Sequence, residues 1–242
     1  MYKRIIIKLS GESLASKDNK FDDDLILNIT NQIKNLIKQN IQIGIIVGGG
    51  NFWRGRSANP KMDKVKADQI GMLATIMNAL YLSDAFNQQN IKTKIMTPFI
   101  VGTITKQFSK ESAIKNMSNG YVLIFAGGTG HPFFSTDTIT ALRAAELEAD
   151  CILYAKNVDG IYDSDPKIIP TAKKYKKISY QKIIADNLNA IDISAMNISK
   201  DIPSVVFSLQ EKNSIETVAL DKEKIFEIGT LIANNIEEEF YE

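Results

Sequence analysis

The segment YVLIFAGGTGHPFFSTDTITALRAAEL, residues 121–147, decides the fold class of this 242-residue chain. Its first six residues, Tyr121–Ala126, are apolar and predict a buried strand. Glycines follow at 127, 128 and 130, and a helical pattern runs from Asp137 to Leu147. A strand that leads through glycines into a helix N-terminus is a common phosphate-binding arrangement in α/β proteins. The hydroxyls, aromatic rings and carboxylate of residues 129–137 favour a loop that holds a whole small ligand.

Strand-like and helix-like patterns alternate along most of the chain, which predicts an α/β fold with a largely parallel sheet and helices on both faces. Most strand candidates are continuously apolar, as expected of strands covered on both faces. The predicted strands are Arg4–Leu9, Ile43–Val47, Lys92–Met96, Tyr121–Ala126, Cys151–Tyr154 and Ser204–Phe207. The predicted helices are Asp22–Gln39, Met62–Phe86, Ser109–Met117, Asp137–Leu147, Ser179–Ala185 and Asp192–Ser199.

Three segments outside this pattern are expected to be loops, turns or ends. The lysine-rich Pro166–Lys177 predicts a solvated surface excursion, and the glutamate-rich Glu237–Glu242 predicts a frayed terminus. Asp159-Gly160 favours a tight turn or a hairpin.

Bulk properties exclude several classes of protein. The formal net charge is +1, so nucleic acid is not an expected partner. No apolar run approaches the ~20 residues that a membrane span requires. Cys151 is the single cysteine, which excludes an intrachain disulfide, fits a cytoplasmic location and predicts core packing for this side chain. His131 is the single histidine, so a histidine-based triad elsewhere and a multi-histidine metal site are excluded.

Two further strand ends carry glycines beside basic residues. Lys8 ends the first strand before Ser10-Gly11, where a lysine can contact a transferring phosphoryl group; an edge lysine before a turn is the alternative. Gly48-Gly49-Gly50 follows the second strand, and Arg54 and Arg56 stand close behind it among only four arginines in the chain. Glycines let a ligand approach the backbone and guanidinium groups suit phosphate, so anion binding is favoured here.

The candidate carboxylates have structural as well as catalytic interpretations. Ser135 and Thr136 are natural N-caps, so Asp137 falls in a first helical turn, where a carboxylate is favourable without any ligand. Asp192 begins a helical pattern and by default is an N-cap. Phe133-Phe134 fits either the ligand loop or the core.

Walker A, dinucleotide-binding and protein-kinase motifs are absent from the sequence, which leaves phosphoryl transfer by another architecture open.

Together these residues resemble the amino acid kinase superfamily and, within it, the bacterial-type UMP kinase family. The resemblance runs from about residue 3 to residue 232. The matching pieces are Lys8-Leu9-Ser10-Gly11-Glu12, Gly48-Gly49-Gly50-Asn51 with Arg54-Gly55, Asp68 to Asn78, residues 127–137, and Val158-Asp159-Gly160 with Asp165-Pro166. The lysine and the glycine triplet mark the superfamily, whereas the 68–78 and 128–137 segments mark the narrower family.

The resemblance implies a three-layer αβα sandwich with a mainly parallel sheet, built as a single domain over residues 1–242. An acceptor lobe would span about residues 1–150 and an ATP lobe about residues 151–242. It also implies phosphoryl transfer from ATP to UMP, with UDP and ADP as products, in UTP and CTP synthesis. The required Mg²⁺ would be held mainly by nucleotide phosphates and water. Family members are typically homohexamers and are commonly regulated by GTP or UTP.

The same resemblance assigns residues to each nucleotide. The implied UMP contacts are Gly49, Asp68, Thr129, Gly130, His131, Pro132, Phe133, Phe134, Ser135 and Thr136. The implied ATP contacts are Lys8, Leu9, Ser10, Gly11, Gly50, Arg54, Lys156, Asn157, Tyr162 and Asp165. Lys8 and Arg54 would stabilise the transferring phosphoryl group. Asp137 and Asp192 would orient Lys8 or the hydrated magnesium.

Two departures from the family pattern and two alternative functions are retained. Relatives often have asparagine where His131 stands, which would allow a pH-sensitive contact here. Relatives often have lysine directly before Val-Asp-Gly, where this chain has Asn157 preceded by Lys156, so which of the two contacts ATP is open.

The alternatives to a UMP kinase are a kinase of the same fold that acts on a carboxylate, a carbamate or an isopentenyl phosphate, and a catalytically idle nucleotide sensor. Asp68 and the Thr129–Thr136 loop favour a nucleotide acceptor.

Overall fold

The computed structural model describes residues 2–55, 59–188 and 190–241, which form a ten-stranded sheet with helices on both faces. The strands are β1 Arg4–Leu9, β2 Gln42–Val47, β3 Thr93–Thr97, β4 Lys106–Gln107, β5 Val122–Phe125, β6 Cys151–Lys156, β7 Tyr175–Ile178, β8 Ser204–Ser208, β9 Gly229–Ile232 and β10 Glu239–Phe240. The helices are α1 Asp23–Lys38, α2 Lys64–Gln88, α3 Lys110–Ser118, α4 Thr136–Glu146, α5 Tyr180–Ala185, α6 Ile193–Ser199, α7 Ser214–Leu220 and α8 Ile225–Ile228, and a 3-10 turn spans Glu12–Leu14.

The sheet order is β10-β7-β9-β8-β6-β1-β2-β5-β3-β4, and β1 lies near its middle. All pairs from β8 to β4 along this order are parallel, whereas β9 pairs antiparallel with β8 and β10 pairs antiparallel with β7. Lys8 of β1 is level with Ile46 of β2 and Tyr154 of β6. The carboxyl ends of these central strands therefore meet at one edge, where ligands of such sheets bind.

Two apolar cores lie on opposite faces of the sheet and make the molecule three-layered. Alternate residues of β1 divide between them, since Ile5 and Ile7 face one core and Ile6 faces the other. The first core contains side chains of α1, α2, α7 and α8, and the second contains those of α3, α4, α5 and α6. This arrangement confirms the predicted αβα sandwich. Cys151 is fully buried in the first core, as predicted.

The six predicted strands and six predicted helices are present to within two residues at each end. Two surface predictions are wrong. The end of the predicted excursion Pro166–Lys177 enters β7, because Tyr175 and Ile178 are buried in the second core. The predicted frayed terminus contains β10, which pairs with β7 while the ring of Phe240 stacks on Tyr175 at 4.1 Å. Of that terminus, Glu242 lies outside the described residues.

Helix α2 has one face in the core and an outer face that is unusually apolar. The outer face consists of Ile70, Leu73, Met77, Leu80 and Tyr81, which are 36–53% exposed. The inner face carries Ala74, Ala79, Leu82 and Phe86, all buried. Although α2 is the longest helix, none of the helices in the described part of the chain combines the length and apolarity needed to cross a bilayer.

Candidate active site

A lysine and an aspartate meet at the carboxyl edge of the central strands. Lys8 is on β1, and Asp137 is in the first turn of α4, which begins directly behind the glycine loop. The Lys8 Nζ lies 3.3 Å from the Asp137 Oδ1, and both side chains are less than 15% exposed. Burial would raise the pKa of Asp137, but the neighbouring ammonium groups of Lys8 and Lys156 outweigh burial and hold this pKa below its ordinary value.

Lys156 is the third member of this cluster. It ends β6, the strand beside β1, and its Nζ lies 3.4 Å from the Asp137 Oδ2. The same ammonium donates a hydrogen bond to the carbonyl of Ala190. Burial and the nearby charge of Lys8 lower the pKa of Lys156, while Asp137 counteracts them. Two ammonium groups thus share one carboxylate, and the cluster has a net charge of about +1 when both lysines are protonated.

A cavity of 780 Å³, called here the first cavity, opens beside this cluster. Its walls come from the glycine triplet, from α2 and from the loop that precedes α4. Asp68 is the carboxylate that α2 contributes, and Met72 and Thr75 lie about one and two turns further along the same helix. The other predicted site residues that line it are Gly49, Gly50, Arg54, Thr129, His131, Phe133, Phe134, Ser135 and Thr136.

The backbone of the loop between β5 and α4 follows an unusual path. Two hydrogen bonds to side chains of α2 stabilise this path. Phe133 has a left-handed φ of +70°, and Gly130 has a φ of +84°. The Phe133 N–H donates to Asp68 Oδ2 at 2.7 Å, and the Gly127 N–H donates to the Thr75 hydroxyl at 2.7 Å. The side chains of Phe133 and Phe134 are 70% and 56% exposed, so the core interpretation of this pair is wrong.

The Lys8–Gly11 turn and the glycine triplet touch each other through their backbones. A Cβ on Gly11 would lie 2.5 Å from the Gly48 carbonyl oxygen and 2.7 Å from the Gly50 nitrogen. Only glycine fits such a contact without displacing main chain. The Leu9 side chain is in the core, and its carbonyl accepts from the Gly48 N–H at 2.9 Å, so Leu9 can offer a ligand only its backbone.

Arg54 lies at the mouth of the first cavity, on the side of the glycine triplet. Its Nε pairs with Glu12 Oε1 at 2.9 Å, and both side chains are substantially exposed. An exposed ion pair of this kind contributes roughly 0–1 kcal/mol, so Arg54 can exchange Glu12 for a ligand phosphate at small cost. Arg56, the second arginine of the predicted anion site, lies outside the described residues.

A second cavity of 630 Å³ lies on the other side of Asp137 and is called here the second cavity. It shares Ser135 with the first cavity, and Asp137, Lys156 and Asp192 line its polar end. Asp192 caps α6 by accepting from the Ser194 N–H at 2.8 Å, and it forms no ion pair with the described lysines and arginines. The remaining lining residues include an apolar wall of Ile183, Ile184, Leu188, Ile191, Ile193 and Met196, together with Asn187.

The chain matches the Amino acid kinase family over residues 3–208. The chain belongs to this family. Among solved structures, the UMP kinase from Bacillus anthracis is similar with 34% identity and a TM-score of 0.93, covering 100% of this chain and 99% of that one. The UMP kinase from Ureaplasma parvum is similar with 36% identity and a TM-score of 0.89, covering 96% of this chain and 99% of that one.

Within this amino acid kinase fold, several predicted nucleotide contacts stand apart from the lysine–aspartate cluster. The Tyr162 phenol donates to Asp159 at 2.9 Å, and burial together with this hydrogen bond raises the pKa of Tyr162 to about 12. Asp165 accepts from the Lys167 N–H in an exposed turn. Neither Tyr162 nor Asp165 lines the two cavities. Asp159-Gly160 forms a bend after β6, and the predicted hairpin is not found there.

The remaining predicted contacts lie near the cluster but use other groups. The Asn157 Oδ1 accepts from the Ser13 hydroxyl at 2.6 Å, which ties β6 to the Lys8–Gly11 turn. Ser10 belongs to that turn, since its carbonyl accepts from the Ser13 N–H at 3.1 Å. Gly130 and Pro132 belong to the loop before α4 but do not line the first cavity. The His131 N–H donates to the Thr129 hydroxyl at 3.2 Å, and its exposed ring faces that cavity.

Two groups of site residues were missed by sequence reasoning. The apolar wall of the second cavity comes from α5, α6 and the residues between them, and its isoleucines and leucine have the spacing of ordinary core positions. Thr75 and Trp53 line the first cavity, and the Trp53 indole donates to the Ala67 carbonyl at 2.8 Å. The only signal for Thr75 was its position within the 68–78 segment that resembles the UMP kinase family, and Trp53 lies between two matching pieces, Gly48–Asn51 and Arg54-Gly55.

Proposed function

We propose that this chain transfers the γ-phosphoryl group of ATP to the phosphate of UMP and releases ADP and UDP. The observation that carries the proposal is the meeting of two nucleotide-sized cavities at Ser135, beside the cluster of Lys8, Asp137 and Lys156. The similarity to UMP kinases over essentially the whole chain supports the choice of UMP as the acceptor.

UMP occupies the first cavity in this proposal. The 780 Å³ volume is within the usual range for small-molecule sites. Asp68 is placed to accept from ribose hydroxyls while it holds the loop at Phe133. The hydroxyls and backbone of Thr129–Thr136 hold the uracil and the phosphate, and the N-terminus of α4 favours the anion.

ATP lies across the Lys8–Gly11 turn and Gly50, with its phosphates toward Lys8, Arg54 and Lys156. The apolar wall of the second cavity suits an adenine ring. Tyr162, Asp165 and Asn157 stay predicted ATP contacts. A division into an acceptor lobe of about residues 1–150 and a donor lobe of about residues 151–242 fits this placement, because the first cavity is lined from the first range and most of the second cavity from the second.

The reaction needs alignment and charge neutralisation rather than a general base. The attacking group is a phosphate oxygen of UMP, which is already anionic near neutral pH, so the single histidine has no required proton to move. Two phosphates that repel each other must be brought into line while charge spreads over the transferring group. Lys8 and Arg54 supply positive charge to that group, and Asp137 orients Lys8. Asp192, on the wall of the second cavity, is proposed to orient water around the donor phosphates.

The residues of the site fit a Mg²⁺ ion that the nucleotide brings with it. Among the described residues no three histidine, cysteine, aspartate or glutamate side chains are grouped so that they could hold a metal ion, and phosphate oxygens and water would supply most ligands. The buried Asp137 Oδ1 pairs with the Lys8 ammonium at 3.3 Å but meets hydrogen-bond geometry with none of the described residues, so it can still accept from a water on such an ion. When bound, the ion would neutralise charge on the β- and γ-phosphates.

Assembly and cellular role form a further part of the proposal. The apolar outer face of α2 is a candidate subunit interface, and a homohexamer is the assembly that the family resemblance favours. The reaction places the chain in pyrimidine nucleotide synthesis in the cytoplasm, with allosteric control by GTP or UTP. Nucleic acid and membranes are not proposed as partners.

An acceptor panel tests the reaction against its alternatives. The chain is incubated with Mg²⁺-ATP and, separately, UMP, CMP, dTMP, glutamate, aspartate, carbamate or isopentenyl phosphate, and ADP release is followed. ADP release with UMP alone supports the proposal. Turnover with a carboxylate, carbamate or isopentenyl phosphate instead would establish another kinase of this fold. Absence of turnover with every acceptor, together with measurable UMP binding, would support the nucleotide sensor.

A further inference from the structure

The last two described residues, Phe240 and Tyr241, are called here the terminal pair, and the proposed reaction does not use them. Several contacts nevertheless fix them. Phe240 stacks on Tyr175 of β7 at 4.1 Å. The Tyr241 N–H donates to the Lys174 carbonyl at 2.9 Å, and the Tyr241 phenol donates to the Gly229 carbonyl at 2.7 Å. Burial raises the pKa of Tyr241 to about 12. Backbone, ring and hydroxyl contacts together make this chain end an ordered part of the fold.

Lys174 joins the terminal pair to the turn that follows β6. Its Nζ lies 4.6 Å from the centre of the Tyr241 ring, within the range of a cation–π interaction, and 2.9 Å from the Asp159 Oδ2. The Lys174 side chain is only 13% exposed. Burial would raise the pKa of Asp159, but the Lys174 ammonium and the Tyr162 phenol outweigh burial and lower this pKa. A mostly buried cation is therefore shared between the tyrosine ring and the carboxylate.

The turn after β6 packs tightly against this lysine. A Cβ on Gly160 would lie 2.6 Å from the Lys174 Cε. Tyr162 forms an antiparallel bridge with Lys174, and its phenol donates to the Asp159 Oδ1 at 2.9 Å. The Asp159 carboxylate thus contacts Lys174 through one oxygen and Tyr162 through the other. A continuous path of contacts runs from the terminal pair through Lys174 and Asp159 to Tyr162.

This turn starts at the edge of the sheet where the proposed reaction takes place. β6 ends at Lys156 of the lysine–aspartate cluster, and two residues separate it from Asp159. The backbone of the turn has an anchor of its own, because the Ile161 N–H donates to the Thr230 hydroxyl at 2.9 Å. The side chains of Asp159 and Tyr162 do not share this anchor. The terminal pair therefore acts on the side chains of the turn more than on the course of its backbone.

We infer that the terminal pair is a positioning element for the donor nucleotide. Tyr241 holds the Lys174 ammonium against Asp159. The ion pair so formed fixes the side chain of Tyr162 for contact with the adenosine part of ATP. Affinity for ATP then depends on the end of the chain, whereas UMP binding and the phosphoryl-transfer step do not. The inference rests on the proposed function, since it requires the predicted contact of Tyr162 with ATP.

The test compares Tyr241→Ala, which removes the ring and the hydroxyl, with Tyr241→Phe, which keeps the ring over Lys174. The full chain is assayed with Mg²⁺-ATP and UMP, and binding of ATP and adenosine is measured by calorimetry. For Tyr241→Ala we expect KM for ATP and both dissociation constants to rise about fivefold, the effect of one lost hydrogen bond or cation–π contact. KM for UMP and kcat should stay within about twofold. Tyr241→Phe should recover part of the affinity for ATP.

A double-mutant cycle shows whether Tyr241 acts through the path described above. Tyr162→Ala should also raise KM for ATP. Adding Tyr241→Ala to this variant should raise KM for ATP no further, because the side chain that the terminal pair positions is then absent. Additive effects of the two changes would overturn the inference, since Tyr241 would then act independently of Tyr162.

Tyr121→Ala is the matched control. Tyr121 is also a partly buried tyrosine with a lysine over its ring, the Lys94 ammonium at 4.7 Å from the ring centre, but it precedes β5, whereas the site lies after that strand. This variant should leave both KM values unchanged. An unchanged KM for ATP in Tyr241→Ala would overturn the inference. An equal rise of KM for ATP and for UMP would also overturn it, because the terminal pair would then only stabilise the fold.

The inference and the proposed function fail in different ways. If the wild-type chain releases no ADP with UMP, the proposed function fails, and calorimetry with ATP and adenosine still tests the terminal pair. If the wild-type chain turns over UMP and Tyr241→Ala keeps the wild-type KM for ATP, only the role of the terminal pair fails. Circular dichroism and the melting temperature establish that each variant is folded. Should Tyr241→Ala not fold, Lys174→Met interrupts the same path and is measured in its place, with the same expected separation between ATP and UMP.

Discussion

Lys8 is the residue for which binding and catalysis can be separated most clearly. Its ammonium lies next to Asp137 at the edge where the two cavities meet, and not on the wall of the first cavity. We therefore expect Lys8→Ala to lower kcat by about 10²–10³-fold, equivalent to roughly 2.7–4 kcal/mol of transition-state stabilisation. UMP affinity should change far less. Steady-state kinetics and UMP titration measure the two effects.

The control for this change is Lys92→Ala, which removes an exposed lysine before β3. Its kcat should match that of the wild type. Equal losses of kcat and UMP affinity in Lys8→Ala would show that Lys8 only binds ligand in the ground state.

Asp137 should affect stability as well as activity. Asp137→Asn removes the charge that both lysines share, so kcat should fall, and loss of one partner from a mostly buried ion pair costs about 3–5 kcal/mol. The pKa of Asp137 is lowered in the folded state, so its contribution is fully present above about pH 4 and is lost as pH falls through the lower, folded-state pKa. Urea unfolding from pH 7 to pH 2.5 should show a shallower acid loss for the variant.

Asp84→Asn serves as the comparison, because the Asp84 carboxylate is exposed on α2 and accepts only from Gln88 among the described residues. An acid profile of Asp137→Asn that equals that of the wild type would show that the two lysines do not stabilise this carboxylate.

At the scale of single residues, the sequence predicted those site members that follow a strand end or a glycine turn. Lys8 and the 129–136 loop are of this kind, whereas Asp68 lies within α2 and was predicted only from the family resemblance. The pairing of Lys156 with Asp137 could not be read from the sequence, because it depends on β6 lying beside β1 and on α4 crossing both. The ion pair between Arg54 and Glu12 could not be predicted from the sequence either, because each side chain could equally have faced solvent.

Helix α2 is the element that organises the first cavity. Three of its side chains contact two loops: Asp68 and Thr75 accept from Phe133 and Gly127 of the loop between β5 and α4, and Asn78 donates to the glycine triplet. The buried Asn78 amide donates to the Gly48 carbonyl at 2.6 Å and exchanges hydrogen bonds with Asn51. The 68–78 segment is therefore important for the site chiefly because one rigid helix fixes both loops.

Asn78→Ala tests this role. It leaves the Gly48 carbonyl and the Asn51 amide without their buried partner, so we expect a loss of about 1–3 kcal/mol in the free energy of unfolding. Activity should also fall, because the glycine triplet is no longer held. Asn87→Ala, at an exposed asparagine of the same helix, should have little effect on either quantity. Unfolding in urea and the ADP-release assay provide the two measurements. Unchanged activity in Asn78→Ala would show that the hydrogen bonds of the Asn78 amide do not contribute to the site.

The elements that the sequence did not predict are the short strands β4, β7, β9 and β10 and the short helices α7 and α8. Continuous apolar runs predicted β1, β2, β3, β5, β6 and β8, since both faces of these strands are covered. In β7 the adjacent Lys176 and Lys177 conceal the pattern, and their ammonium groups pair with Glu239 of β10. This strand exists because of partners some 60 residues away, which a local pattern cannot reveal.

At the scale of the whole molecule, the outer face of α2 is the surface that we propose as a subunit interface. Leu73 and Met77 lie one turn apart on it and are 53% and 45% exposed. We expect the double variant Leu73→Glu, Met77→Glu to form smaller species than the wild type, because four carboxylates would meet across a two-fold interface. Light scattering after size-exclusion chromatography measures the masses.

The paired control is Lys34→Glu, Lys38→Glu on the neighbouring helix α1, which adds two carboxylates outside the α2 face. If both double variants keep the wild-type mass, the α2 face is not the contact that determines assembly. If only the α2 variant dissociates while its circular dichroism is unchanged, the interface is located there.

The two outermost strands of the sheet, β4 and β10, are each two residues long. A long bare edge is a template on which another chain can add strands, and it promotes aggregation and amyloid-like stacking. In the described part of this chain each edge strand instead forms only two residue pairs and carries a charged residue, Lys106 in β4 and Glu239 in β10. The chain should consequently resist edge-to-edge polymerisation at high concentration, and fibril growth from the native state should require one of these edges to unravel first.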